Sequence, residues 1–118
     1  MSGKTAVMEL APGIFSSSSA TDDWRLDDDP PGEVHVLIDE PEIQAGFWRA
    51  LPGVTPDTVR WTPPARELIS VVRGEAHLQI AGGAELDLRV GGVAALPAGA
   101  QITWRVSPDF LEFWVLVS

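Results

Sequence analysis

The sequence predicts a single all-β domain, and three observations carry that prediction. Short β-prone runs follow one another along most of the chain, several alternate apolar and polar residues with a period of two, and eleven glycines and ten prolines punctuate them. No segment sustains a 3.6-residue period beyond a turn or two, so helical bundles and α/β layers are not expected. The 118 residues suit one domain, and a 45% hydrophobic content is enough for a core.

Residues 1–32 read as an acidic, flexible N-terminal arm. Ser16 to Ser19 is a polar run, Asp27-Asp28-Asp29 a like-charge block, and Pro30-Pro31-Gly32 closes the stretch. Trp24, the large aromatic residue of its second half, is expected either to dock on the domain or to belong to a lid or exchanged arm. Residues 33–118 form the domain. Val34–Ile38 is a short β-prone run, followed by Gln44–Ala50 and the turn Leu51-Pro52-Gly53. Thr58–Thr62 is interrupted by Pro63-Pro64, and Glu67–Val72 ends at Arg73-Gly74. Glu75–Ile80 places Ala76, Leu78 and Ile80 opposite Glu75, His77 and Gln79; after Ala81-Gly82-Gly83, Glu85–Val90 alternates in the same way. Gly91-Gly92, Pro97-Ala98-Gly99 and Ser107-Pro108-Asp109 bound the last strands, Gln101–Val106 and Phe110–Val117. About eight short strands at this spacing predict a sandwich or barrel, with a jelly roll as the natural closure.

Charge narrows the partners. Residues 1–42 hold ten acids against Lys4 and Arg25, whereas residues 43–118 hold seven acids against six arginines. The net charge of −9 therefore belongs mostly to the leading segment, and neither part offers a basic patch for nucleic acid. No apolar run is long enough for a membrane span, and the start MSGKTAVMELAPG lacks the apolar core of a signal peptide. The absence of cysteine excludes disulfide and thiolate chemistry and agrees with a cytoplasmic location. Gly82-Gly83 and Gly91-Gly92 are hairpin ends, not nucleotide fingerprints, and no Ser/His/Asp arrangement is apparent.

Two glycine-bearing patterns are more specific. Glu67 is followed by six residues and Gly74; Gly91 is followed by five residues, Pro97, one residue and Gly99. Gly74 and Gly91 stand at reversals that favour positive φ, and Pro97 and Gly99 shape the bend into Gln101–Val106. These frames resemble the two motifs of the cupin superfamily. The segments Gly46-Phe47-Trp48, Glu67 to Ala76 and Leu96 to Val106 resemble its ureidoglycine aminohydrolase-like members (the Cupin_3, or DUF861, type). The resemblance implies a single cupin jelly-roll β-barrel.

Metal-binding cupins carry two His one residue apart before the Glu and a third after the Pro-x-Gly. Here those positions hold Arg60 and Thr62 or, one register over, Trp61 and Pro63, and then Ile102. His35 lies upstream of both motifs, and His77 sits on the polar face of a hairpin. A lone carboxylate is a poor transition-metal site, so neither a metal nor another cofactor is expected.

The candidate site follows from the carboxylate. Glu67 facing an apolar lumen would have a raised pKa suited to acid/base work, with Arg60 or Arg49 orienting a substrate. The structural alternative is an ion pair between Glu67 and Arg60, Arg49 or Arg105. Trp48, Trp61, Trp104 and Trp114 are candidate core or pocket walls, and Glu112 stands in an otherwise apolar strand. Gln101 and Thr103 reach a pocket only if their strand turns its polar face inward.

Two functions fit. One is a metal-independent isomerase, cyclase or lyase acting on a small organic metabolite; the other is a non-catalytic ligand-binding or accessory module. The first expects Glu67 in an open cavity, incompletely neutralised. The second expects it locked by two or more donors, or a filled barrel. Sheet edges needing cover predict a homodimer.

Overall fold

A computed structural model describes residues 6–118; the first five residues of the arm lie outside the described residues. Among the described residues twelve strands run in the order β1 (Met8–Ala11), β2 (Ile14–Ser16), β3 (Arg25–Asp28), β4 (Pro31–Glu40), β5 (Ile43–Arg49) and β6 (Thr58–Trp61). They continue as β7 (Arg66–Arg73), β8 (Glu75–Ile80), β9 (Glu85–Arg89), β10 (Val93–Leu96), β11 (Ile102–Val106) and β12 (Leu111–Val117). All pairings are antiparallel. One sheet has the order β10-β7-β12-β5-β4-β3, and the second β6-β11-β8-β9; β1 and β2 form a separate hairpin. The two larger sheets share one core as the halves of a jelly roll, without closing into a continuously hydrogen-bonded cylinder. Residues read as an arm thus supply a hairpin and an edge strand, β3, to the folded body.

Alternation fixes which side chains enter the core. On β8, Ala76 and Leu78 are buried, and on β11 Ile102 and Trp104 are, because the even-numbered positions of both strands face the opposite sheet. Ile69 and Val71 of β7 meet them from the other side, and Phe110 closes one end. The Phe110 ring lies 6.1 Å from both Trp48 and Trp104, in tilted and edge-on contacts that add to simple area burial.

Gly74 turns the chain between β7 and β8 at φ 75°. A Cβ there would run into Ser107 Oγ and would lie 2.7 Å from Asp109 Oδ1, so both conformation and space demand glycine. Gly46 answers a different constraint. It lets β5 approach β4 so closely that a Cβ would collide with the His35 carbonyl oxygen.

Candidate functional site

Between the sheets lies a cavity of about 140 Å³. Its walls are set by residues of seven strands. β12 contributes Glu112, Trp114 and Leu116, with Glu112 opposite Trp48 of β5 and Leu116 opposite Glu67 of β7. The second sheet supplies Val59 and Trp61 from β6 and Trp104 and Val106 from β11. Val34 of β4 and, at one edge, Asp27, Asp29 and Pro30 from the β3–β4 hairpin complete the lining, with a cis Asp29–Pro30 bond. Four indoles therefore surround two buried carboxyls. Among the described residues, no Lys, Arg or His lines the space.

The two glutamates have different environments. Glu67 is 4% exposed, and its Oε1 accepts a 2.7 Å hydrogen bond from Trp61 Nε1–H. Burial raises its pKa from 4.5 to about 7, and the Trp61 bond opposes that rise in part. Glu112, 6% exposed, is held well above the usual carboxylate range, first by burial and then by the nearby Glu67 charge. Its Oε1 has no hydrogen-bond partner among the described residues, and neither has Trp104 Nε1. Each is a buried polar atom whose pairing capacity is unused.

Six of the nine residues singled out from sequence line the cavity: Glu67, Glu112, Trp48, Trp61, Trp104 and Trp114. Arg60, Arg49 and Thr103 do not. Arg60 lies between Val59 and Trp61, so a strand that turns those two inward turns Arg60 out to solvent. Thr103 is displaced from the lumen by the inward Ile102 and Trp104, and Gln101 is exposed. Arg49 sits on the far side of β5, where its guanidinium pairs with Glu33 at 2.8 Å and stacks 4.0 Å over the Trp24 ring. An orienting arginine in the lumen is thus not what the fold builds, and no arginine pairs with Glu67 among the described residues.

Trp24 docks on this outer face, with its Nε1–H donating to the Thr21 carbonyl. Beneath it the structure reveals a serine–histidine–aspartate cluster that spacing did not disclose. Ser17 Oγ lies 2.6 Å from His35 Nε2, and His35 Nδ1 is 2.8 Å from the Asp23 carbonyl and 3.6 Å from its carboxylate. The buried ring thereby ties the leading segment to β4. His77 instead bridges Asp87 Oδ1 at 2.7 Å and Glu85 Oε1 at 2.9 Å on the β8–β9 hairpin, and the Asp87 hydrogen bond leads in raising its pKa.

The motif positions do not fit a transition metal. Glu67 is engaged by an indole, and Ile102 is packed in the core. No trio of His, Cys, Asp or Glu is gathered for metal binding among the described residues.

The fold and this lumen define a small cupin. Its sequence matches the family of EutQ-like cupin domains over residues 39–110, and the chain belongs to that family. Among solved structures it is similar to ethanolamine utilization protein Q (EutQ) of Salmonella typhimurium, with a TM-score of 0.76 and 18% identity over 97% of this chain and 93% of that one. The EutQ protein of Clostridium difficile gives 0.74 and 20% over 98% and 88%. A DUF861 family protein of Thermotoga maritima gives 0.52 and 16% over 59% and 75%. At these identities the likeness speaks for the fold alone. A comparison with curated proteins finds no match. Among the described residues no helix is long and apolar enough to cross a membrane.

Proposed function

We propose that this protein is a metal-independent enzyme that performs acid/base chemistry on a small organic molecule held in the lumen. The observation that carries the reading is Glu67, buried among indoles, poised near neutrality and held by one donor, Trp61, among the described residues. Burial brings Glu67 to a pKa of about 7, so both of its protonation states are accessible near neutrality, and burial together with the nearby Glu67 charge favours the protonated form of Glu112. Two carboxyls of unlike state in one cavity form an acid/base pair. For a substrate with a hydroxyl on the carbon beside its carbonyl, Glu67 takes the proton from that carbon as Glu112 delivers one to the carbonyl oxygen. Glu67 then gives its proton to the former carbonyl carbon while the other enediol hydroxyl returns a proton to Glu112, which completes an isomerisation and restores both carboxyls. The indoles exclude water and hold the apolar part of the substrate. The volume sets the scale, since a cavity of roughly 150 Å³ accommodates benzene.

Glu67→Gln keeps an acceptor for Trp61 and removes the proton-transfer group. In a screen of small carbonyl compounds, turnover by the native chain and its loss in a folded Glu67→Gln variant is the expected result. Equal turnover by the two retires the assignment.

A homodimer and a cytoplasmic location belong to the same proposal. The dimer is supported by two exposed apolar surfaces on one chain. One is the β1–β2 hairpin, with Met8, Leu10 and Ile14; the other is the outer face of β10, β7 and β12, with Val93, Leu68 and Phe113 around a groove. A second copy can cover both, and a monomer by light scattering at micromolar concentration would contradict it. The absence of cysteine supports the location.

A further inference from the structure

The lumen is unbalanced in a way that specifies its ligand. Four carboxyl-bearing residues line it: Glu67 on β7, Glu112 on β12, Asp27 on β3 and Asp29 in the turn before β4. The lining holds no Lys, Arg or His among the described residues. The aromatic rings present π-faces, which attract cations most strongly where water is excluded. Glu112 Oε1 is an acceptor with no donor, and Trp104 Nε1–H is a donor with no acceptor among the described residues, both on side chains more than nine-tenths buried. A purely hydrocarbon ligand would leave both unsatisfied. An anion would find a donor in Trp104 Nε1–H but would sit among four carboxyl-bearing residues with no Lys, Arg or His beside it among the described residues.

We infer that the lumen binds a small primary ammonium compound, of about six non-hydrogen atoms or fewer, that also carries a hydroxyl or carbonyl oxygen. Its ammonium donates to Glu112 Oε1 and lies against the indole faces, while its oxygen accepts from Trp104 Nε1–H. Asp27 and Asp29 at the edge favour entry of a cation. The ammonium also supplies the single positive charge that lets the glutamate pair carry one negative charge and one proton. The inference rests on the lumen being the ligand site, as the enzymatic reading does, and adds the substrate class.

Isothermal calorimetry on the full chain tests it with n-propylammonium, n-propanol and propionate, which share a carbon skeleton and differ in charge, and with propanolamine, which adds the oxygen. The ammonium compounds are expected to bind at least about tenfold more tightly than propanol or propionate. Propanolamine should exceed propylammonium, with that advantage lost in Trp104→Phe. Glu112→Gln, which preserves shape, should weaken ammonium binding about tenfold or more and leave propanol unchanged. Binding in buffers of different ionisation enthalpy should reveal proton release, because a cation draws a proton off the glutamate pair. Preference for propionate with proton uptake, or equal affinity for propanol and propylammonium, would overturn the inference. None of these readouts uses turnover. If ammonium compounds fail while Glu67→Gln still abolishes turnover of a neutral carbonyl compound, the ligand class falls and the enzymatic reading stands; ammonium binding without turnover gives the reverse.

Discussion

Replacing Glu67 by glutamine should stabilise the protein above neutral pH, and the expected size follows from the carboxyl's environment. In the fold its pKa is about 7 against an ordinary 4.5, so the folded state holds this proton more tightly than the unfolded chain. The favourable contribution is fully present below pH 4.5 and is lost as pH rises through 7. A shift of this size corresponds to about 3 kcal/mol, because each pKa unit is worth about 1.4 kcal/mol. Above about pH 8 the native chain bears the whole cost of an ionised, buried carboxylate, whereas the neutral amide of the Glu67→Gln variant bears none and still accepts the Trp61 hydrogen bond. Urea denaturation followed by tryptophan fluorescence, at about pH 4.5 and about pH 8, measures the difference directly. Comparing variant with native chain cancels the contribution of the other acids, including repulsion among the acidic residues of the leading segment. The expected outcome is near-equality in acid and a gain of about 2 to 3 kcal/mol for the variant in base. Equal loss of stability by both chains across that range would refute the reasoning, since it would mean that Glu67 titrates normally.

Two other substitutions probe the frame around the site. Gly74→Ala combines positive φ with collision against Ser107, and should cost at least about 2 kcal/mol in chemical denaturation; a cost below about 0.5 kcal/mol would show that the β7–β8 turn relaxes freely. Ser17→Ala leaves the buried His35 Nε2 without its partner, for a loss of about 1 to 3 kcal/mol and faster limited proteolysis of the leading segment, whereas unchanged cleavage would release that segment from the His35 tie.

The site was legible wherever one strand's own alternation decided the outcome. Glu67 shares its side of β7 with Ile69 and Val71, so an apolar inward face carries the carboxyl into the lumen with them. For Glu112 alternation left a pocket or an interface open, because both faces of β12 are apolar, and the fold turns it inward with Trp114 and Leu116. Arg60 stands outside the lumen by the same signal, because Val59 and Trp61 on either side of it leave only the outward direction. Other features depend on pairings that no local pattern reveals. Ser17, Asp23 and His35 are brought together only when the leading segment folds onto β4. Asp27 and Asp29 read as a solvated charge block because nothing local announces that β3 pairs with β4 and brings them to the cavity edge. β10 was passed over for a related reason. Val93 to Leu96 is a short apolar run between Gly91-Gly92 and Pro97, and pairing with β7 is what makes it a strand. The partner of Glu67 was sought among the arginines, whereas the fold supplies an indole N–H six residues away across the Pro63-Pro64 bend.

Everything proposed for the lumen depends on a carboxyl pair kept out of water. A carbon-NMR titration of the glutamate side chains, with Glu67→Gln and Glu112→Gln assigning the signals, observes that pair itself. The account predicts a midpoint near 7 for Glu67 and one raised well above the ordinary glutamate range for Glu112. Midpoints for both within the ordinary glutamate range, about 4 to 5, would contradict it.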